Sequence, residues 1–280
     1  MKHYNILYSV VAHEKIECVY NLYENILKFH PGLSVAMIVH ANPRLYEQRD
    51  EIPCHENLIW HPVPTVKERF TSKIFLGHLE NFRYVGGRHL QKGEEMSFDF
   101  FCTLASNCMF VRPIVFERIA ENTPILAPRA GGYRLPDPER WMYKEFIKNV
   151  KLNEIFKQIG MEICVITHEG AYFRKNVMDS MSVFCEGWGI NESIFVHDTI
   201  PAEEIILPSL EKFLTGGKIG KRYCGWIPGI KEEDVRTVIE TGTCKLLSGH
   251  YNNILKIPRD MENPMRKMVN ELQVEEIPQI

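Results

Sequence analysis

The sequence has no long hydrophobic run and little excess of charge of either sign. It has no uninterrupted stretch of about 18 apolar residues, so we expect no membrane span. Its start, MKHYNILYSVVAHEK, has too short an apolar core for a signal peptide. The formal net charge of -3 argues against a nucleic-acid-binding protein, because such proteins usually carry a basic domain or stripe. These absences predict a soluble, cytoplasmic protein with no nucleic-acid partner and no membrane span.

Paired cysteine motifs and internal repeats are missing as well. The chain has 8 cysteines, but no two are spaced as CxxC. Unpaired thiols are typical of a reducing compartment, while an even number of cysteines leaves one or two disulfides as an alternative. With 280 residues, the chain is long enough for one large α/β domain or two small ones. We predict residues 1–200 as an α/β core and residues 201–280 as a segment that packs on it, within one structural domain.

Apolar runs alternate with amphipathic stretches through the first part of the chain. Residues 4–12 and 33–39 are predicted strands, and residues 18–29 have apolar side chains at helical spacing. A strand, a helix and a parallel strand in such a short stretch make a βαβ unit. A short strand at residues 57–63 and a helix at residues 70–84 follow. This alternation predicts an α/β fold, with helices packed on a largely parallel sheet.

The second half has a less regular pattern. Residues 112–122 and 141–159 are predicted helices, and residues 161–167 are a predicted strand. Between the two helices lies a loop rich in proline, glycine and charge, where Asp137 and Glu139 come nearest to a metal-binding carboxylate pair. Charged, proline-rich loops are far commoner than metal sites, so we expect no metal there.

Residues 97–113 carry the pattern around which the rest of the chain is organised. The run from Phe98 to Leu104 is short and rich in aromatic residues, which is typical of a strand buried on both faces. Ser106 and Asn107 end this run, at the edge where open α/β sheets bind ligands. An ordinary turn after a core strand is the alternative for these two residues.

The same stretch resembles a known family. FDFF followed by LASNC is similar to the "dYf.LLSGqDyP" segment of the core-2/I-branching N-acetylglucosaminyltransferases, a family that includes the peptide O-xylosyltransferases. Ser106 falls on the family's serine, and Met109 stands where the family has an aspartate. Many nucleotide-sugar transferases carry a metal-binding Asp-x-Asp at this strand end, but neither this sequence nor the family does. The resemblance implies a GT-A-type nucleotide-diphospho-sugar transferase fold, with a central mixed sheet flanked by helices, that requires no metal.

Two further segments are similar to the nucleotide-binding half of that family. HEKIE follows the first predicted strand, and VHANP follows the second. Asn42 stands where family members often have an acid, and its amide can still hydrogen-bond a uracil edge. A polar turn after a strand is the alternative for His40 and Asn42. The resemblance implies that the UDP part of a donor contacts His13, His40, Asn42, Ser106 and Asn107.

The segment HEGAYF, at residues 168–173, is similar to the family's "kGsaYf" element, which lies along the acceptor sugar. The resemblance implies that Tyr172 stacks on a sugar face and that Glu169 accepts hydrogen bonds from hydroxyl groups. It implies Trp188 and Trp226 as further contacts of a glycan acceptor. A helix N-terminus, with Glu169 placed to favour the helix dipole, is the alternative.

The segment NESIF, at residues 191–195, is similar to the family's "spDEhfw" motif, whose glutamate is the catalytic base. Glu192 inherits that role from the resemblance. Inverting transfer requires a carboxylate that takes the proton of the acceptor hydroxyl as its oxygen attacks the anomeric carbon. The alternative is structural, with Asn191 as a helix N-cap and Glu192 in the first turn. Three other acids rank below Glu192: Glu186, Glu169 and Asp198.

A transferase without a metal must neutralise the leaving diphosphate with lysine or arginine. KIGKRYCGW, at residues 218–226, is similar to the family's "R.idW" segment, which implies Lys221 or Arg222 as one such cation. The family's second cation, the lysine of "lFARKF", has no counterpart at the matching position. Three residues are candidates to replace it: His250, Lys245 and Lys256.

The resemblance covers roughly residues 4–256 and implies an inverting, metal-independent transferase. The expected donor is a UDP-sugar, with UDP-xylose ahead of UDP-N-acetylglucosamine, and the sugar passes to a glycan hydroxyl in a β-linkage without a cofactor. The short chain resembles soluble viral or bacterial xylosyltransferases, and a viral member would act in the host cytoplasm. A non-catalytic nucleotide- or glycan-binding protein with the same fold is the alternative, which the missing lysine favours.

Overall fold

The described part of the chain forms two β-sheets surrounded by helices. The computed structural model describes residues 2–65, 72–86, 96–129, 141–195, 201–243 and 251–277. The strands in this part of the chain are β1 (His3–Ala12), β2 (Val35–Ala41), β3 (Leu58–Trp60), β4 (Ser97–Ala105), β5 (Cys108–Phe110), β6 (Ala171–Arg174), β7 (Cys224–Gly225) and β8 (Ile254–Lys256).

The larger sheet is mixed and has the strand order β3-β2-β1-β4-β6. β1 runs parallel to β2 and β4, and β2 runs parallel to β3, whereas β6 is antiparallel to β4. The smaller sheet has the order β5-β8-β7, with β8 antiparallel to β5 and parallel to β7. The expected α/β class, with a central mixed sheet, is therefore confirmed.

Helices cover the larger sheet. They are α1 (Ile16–Lys28), α2 (Pro43–Glu47), α3 (Lys73–Val85), α4 (Phe116–Asn122), α5 (Trp141–Lys148), α6 (Val150–Gln158), α7 (Lys175–Gly187), α8 (Ala202–Leu214), α9 (Glu232–Thr241) and α10 (Pro264–Glu271). Among the described residues, we find no helix with the length and apolar character needed to span a bilayer.

The central sheet is buried on both faces, which is why its strands are almost continuously apolar. Successive residues of β1 point to opposite faces, so Ile6 and Tyr8 enter one core cluster and Leu7 enters the other. α1, α9 and α10 pack in the first cluster, and α3, α7 and α8 pack in the second. The carboxyl ends of the parallel strands all lie at one edge of the larger sheet.

The βαβ unit predicted from the first forty residues is confirmed. α1 forms because Val19, Leu22 and Ile26 recur at helical spacing, and all three are buried against β1 and β2. The helix ends before Pro31 and Gly32, and Gly32 takes the positive φ of 75° that a tight turn requires. β2 then returns parallel to β1.

The strand predicted at residues 161–167 is wrong. This segment is extended, but its backbone bonds to a helix instead of a strand. Ile166 N donates to Glu204 O at 3.0 Å, and Cys164 N donates to Ser209 Oγ at 2.8 Å. Its apolar side chains pack in the same core cluster as those of α8. The segment therefore has the composition of a strand, but no described strand lies beside it.

Two predicted helices differ from the structure at identifiable residues. The helix predicted from residue 112 begins only at Phe116, because Arg112 is buried and donates its guanidinium N–H to the carbonyl of Ile239. The helix predicted over residues 141–159 is divided at Asn149, whose side chain accepts from Leu152 N at 3.0 Å and begins α6.

Candidate functional site

The direction in which the chain crosses the sheet reverses between β1 and β4. From β1 the chain moves outward through β2 and β3, and it then returns to add β4 on the other side of β1. In open α/β sheets, such a switch point opens a crevice beyond the carboxyl ends of the two strands, where ligands bind. β1 ends at Ala12 and β4 ends at Ala105, so His13, Glu14 and Ser106 stand at this crevice.

An arginine joins the two sides of the crevice. Arg259, which follows β8, has its Nε 2.8 Å from Glu14 Oε2, and the same Nε donates to Ser106 Oγ at 3.0 Å. His13 Nε2 lies 3.3 Å from Glu14 Oε1. The terminal amino groups of Arg259 make no hydrogen bond within the described residues, and its side chain is 23% exposed. A guanidinium at a crevice whose two terminal amino groups are not bonded to described residues can bind a phosphate or carboxylate with both groups.

A second cation is brought to the same edge by β8. Lys256 pairs with Cys108 across the smaller sheet, and its Nζ contacts the carboxylate of Glu169. Burial acts to raise the pKa of Glu169, but His168 and Lys256 outweigh burial and bring that pKa to about 2. Burial acts to lower the pKa of Lys256, but Glu169, together with Cys108 and Cys224, outweighs burial, so that pKa is raised. Both groups are therefore ionised at neutral pH. Of the three sequence candidates for a second cation, Lys256 is the one within the described residues, and it lies at this edge.

Glu169 also belongs to a compact group of possible ligand side chains. His168, Glu169 and Glu204 each have one ligand-type atom within 4.8 Å of the others. Burial lowers the pKa of His168 to about 4, so its imidazole is neutral at pH 7. Burial, and after it the charge of Glu169, raises the pKa of Glu204 to about 7. A neutral imidazole and two carboxylates form a donor set that can hold a divalent metal ion.

Gly170 fixes the backbone beside this group. It has a φ of 69°, and a Cβ on it would lie 2.6 Å from the backbone N of Cys224. Gly170 N donates to Thr103 O of β4 at 2.9 Å, and Gly170 O accepts from Tyr223 N at 3.1 Å. Glu169 is thereby held between β4 and the segment that leads into β7. The alternative that this segment begins a helix is wrong, because β6 follows directly.

The predicted donor residues of β2 lie at the same edge but are bonded within the protein. Asn42 caps α2 with its side-chain oxygen and donates to His13 O at 3.0 Å. His40 is buried, its ring stacks on that of His61 with centroids 4.3 Å apart, and its Nε2 lies 2.9 Å from Thr65 Oγ1. Asn42 therefore takes the polar-turn role that we kept as an alternative, and it positions the backbone of His13.

Asn107 has a side-chain atom that no described residue satisfies. Its Oδ1 is buried and has no hydrogen-bond partner in the part of the chain that the structure describes. Its backbone O accepts from Ile257 N at 2.9 Å, which ties it to the residue after β8. Asn107 and Ser106 are thus brought together with Arg259 and Lys256.

The predicted cation Arg222 makes its hydrogen bonds to other residues of the protein. It donates to Glu211 Oε2 at 2.7 Å and to two backbone carbonyls, so its guanidinium is bonded on every side. Lys221 is exposed. His250 and Lys245 lie outside the described residues, as do Asp137, Glu139 and Asp198.

The predicted acceptor residues are spread over the molecule. Tyr172 is buried in the core, where its OH lies 3.1 Å from that of Tyr8, so it has no free face for a sugar. Trp188 lines an open groove of about 500 Å³ and packs beside Phe184, with ring centroids 6.1 Å apart. Trp226 is 61% exposed. Of the four predicted acceptor residues, only Glu169 is part of the charged group described above.

Glu192, the predicted base, is exposed in a short 3-10 helix (Glu192–Ile194). Asn191 caps this turn, because its side-chain oxygen accepts from Ser193 N at 2.9 Å. The structural role that we kept as an alternative for Asn191 is therefore confirmed. Within the described residues, Glu192 makes no side-chain contact with the charged groups of the crevice. Glu186, a lower-ranked candidate, is exposed near the end of α7.

Sequence reasoning missed three residues of the site: Glu14, Glu204 and Arg259. Glu14 is part of the HEKIE segment, from which only the histidine was selected. Glu203 and Glu204 come directly before the apolar run of residues 205–208 in α8, and this acidic pair is a signal that the sequence does contain. Arg259 has no local signal, because its partners lie more than a hundred residues earlier.

No protein-family model matches this sequence, and a search of curated proteins finds no match. A function for the chain therefore depends on the geometry of the crevice and on the motifs of the sequence.

Proposed function

We propose that this protein is an inverting, UDP-sugar-dependent glycosyltransferase of the GT-A type. The observation that carries the proposal is the crevice between β1 and β4, where Arg259 and Lys256 meet the polar residues that follow the two strands. The donor is UDP-xylose, with UDP-N-acetylglucosamine second, and the acceptor is a glycan hydroxyl. The classes of donor and acceptor rest on the family resemblance of residues 97–113 and 168–173, and the preference for xylose rests on the short chain, which resembles soluble xylosyltransferases.

The two cations of the crevice take the diphosphate. Arg259 offers two amino groups that are free of other described partners, which suits bidentate contact with phosphate oxygens. Lys256 is held in place by Glu169 and adds a second positive charge. This arrangement replaces Arg222 of the sequence prediction and neutralises the leaving group without a metal. The unsatisfied Oδ1 of Asn107 accepts a hydrogen bond from the uracil N–H.

Glu204 is the carboxylate best placed to act as the base, and Glu192 is the second candidate. Glu204 is half-buried and lies beside Glu169, at the same edge as the two cations. The acceptor oxygen attacks the anomeric carbon opposite the diphosphate, and its proton passes to the carboxylate. The bond between the anomeric carbon and the diphosphate oxygen breaks, and its electron pair leaves with UDP.

Arg259→Ala tests the diphosphate site by isothermal titration with UDP. Charge-assisted hydrogen bonds contribute about 1.5–3 kcal/mol, so UDP affinity is expected to fall by roughly 10- to 150-fold. Arg236→Ala, on the exposed face of α9, is the matched control and leaves the affinity unchanged. Equal UDP affinity in the two variants would contradict the assignment of Arg259.

A non-catalytic nucleotide- or glycan-binding protein is the second candidate function. The observation that favours it is the exposed position of Glu192, which makes no contact with the charged crevice within the described residues. Binding of UDP without turnover of UDP-xylose or UDP-N-acetylglucosamine, across a panel of glycan acceptors, would support this alternative.

A further inference from the structure

Two buried polar atoms of the His168–Glu169–Glu204 group face each other without a hydrogen bond. His168 Nδ1 lies 3.5 Å from Glu169 Oε2, and neither atom has a hydrogen-bond partner among the described residues. The two side chains are only 5% and 6% exposed. Unsatisfied buried polar atoms are costly, so their position indicates a ligand that bonds to both.

We propose that His168, Glu169 and Glu204 form a binding site for a divalent transition-metal ion, with Zn²⁺ as the best fit, and that its occupation inhibits the enzyme. The inhibition rests on the function proposed above, whereas binding of the ion does not. The ion is not part of the transfer reaction; it competes for a carboxylate that the reaction uses.

The donor set suits zinc in number and type. Zinc accepts imidazole nitrogen and carboxylate oxygen at about 2.0–2.2 Å, and sites with three protein ligands leave a fourth position for water. The three ligand atoms lie within 4.8 Å of one another, so they need to approach by about 1 Å to share one ion. Glu204 is half-buried, and rotation of its side chain can supply this movement.

Lys256 stays compatible with a bound cation because it uses the other oxygen of Glu169. Its Nζ contacts Oε1, which leaves Oε2 directed at His168. Carboxylates that ligate metals are commonly hydrogen-bonded through their second oxygen, and this contact fixes their orientation.

Glu204 belongs both to the proposed metal site and to the proposed transfer reaction, so a bound ion would affect transfer. A metal-bound Glu204 cannot accept the proton of an acceptor hydroxyl. Sugar transfer is therefore expected to proceed in EDTA and to be lost when zinc is added, and EDTA is expected to restore it.

Isothermal titration of the full chain with ZnSO₄, after treatment with EDTA and dialysis, tests the site directly. One high-affinity ion per chain is expected, and both His168→Gln and Glu204→Gln are expected to weaken its binding at least 10-fold. The matched control is Glu203→Gln, because Glu203 is a buried carboxyl in the same turn of α8 but is not one of the three ligands. This control retains zinc affinity. Circular dichroism establishes whether each variant is folded. If His168→Gln does not fold, Glu204→Gln still tests the site.

The outcomes separate this inference from the proposed function. Absence of zinc binding, or equal affinity in the wild type and Glu204→Gln, would overturn the metal site, whatever the enzyme does. Zinc binding that leaves sugar transfer unchanged would overturn the inhibitory role. A protein that binds zinc through these residues but transfers no sugar would support the site and refute the glycosyltransferase.

Discussion

At the level of single residues, the proposed sugar transfer raises the question of which carboxylate accepts the proton. We expect Glu204→Gln to lower turnover by about 10²–10⁴-fold, the usual contribution of a general base. UDP affinity changes little, because the cations of the crevice are untouched. Glu192→Gln is the control, and its turnover stays within about threefold of the wild type because its side chain is exposed. The opposite pattern in steady-state kinetics would return the role to Glu192.

The sequence predicted the residues that follow strands better than the residues that come from elsewhere. Ser106 and Asn107 could be selected because an aromatic-rich strand ends in front of them. Arg259 could not be selected in this way. It contacts Ser106 from 153 positions away, and the hydrophobic pattern of neighbouring residues gives no information about such a contact. Arg222 was selected from a motif, but Glu211 of α8 lies close enough to bind its guanidinium. A motif shows that a charged residue is present at a position, but it does not show which residue that charge contacts in the folded chain.

At the level of elements, the connection from Glu169 into β6 depends on a glycine. We expect Gly170→Ala to lower the free energy of unfolding by at least about 1–3 kcal/mol, the usual cost of a disfavoured positive φ. The clash of its Cβ with the backbone of Cys224 adds to that cost. Gly187→Ala, at the end of α7, is the control, because nothing lies within 4 Å of its Cβ. Urea denaturation measures both variants, and equal midpoints would contradict this account.

Helices and strands whose apolar residues recur at a regular spacing could be predicted from the sequence. Segments whose structure depends on distant hydrogen-bond partners could not. α1 and β4 were found because burial on one stripe or on both faces leaves a pattern in the residues themselves. Residues 161–167 have the same apolar composition as a strand, but α8 supplies their hydrogen-bond partners. β6 was missed because its four residues are too few to show an alternation.

At the level of the whole molecule, a buried histidine makes stability depend on pH. Burial lowers the pKa of His30 to about 3, and the ring is bonded to Tyr8 OH and to Ile26 O. The unfolded chain binds this proton near pH 6.5, while the folded chain does not bind it until about pH 3. Stability is therefore lost as the pH falls through this window, by at most about 1.4 kcal/mol per pH unit from His30.

The variant His30→Gln isolates this contribution. Its free energy of unfolding at pH 7 is lower, because the bonds of the buried imidazole are changed, but its dependence on pH between 6.5 and 3 is flatter. Urea denaturation at a series of pH values gives both slopes. Parallel curves for the wild type and the variant would show that His30 does not contribute to acid sensitivity.

The position of β8 between β5 and β7 has a consequence during synthesis on the ribosome. β5 leaves the ribosome early, but β8, its neighbour in the smaller sheet, is translated much later. The 153 positions between Ser106 and Arg259 take about 8–30 s to translate at the usual 5–20 residues per second. Until then the nascent chain has an unpaired strand edge and a crevice without its cations. Nascent chains that lack β8 are therefore expected to lack the proposed nucleotide site and to require protection from aggregation, so the translation of β8 is the step that completes this site.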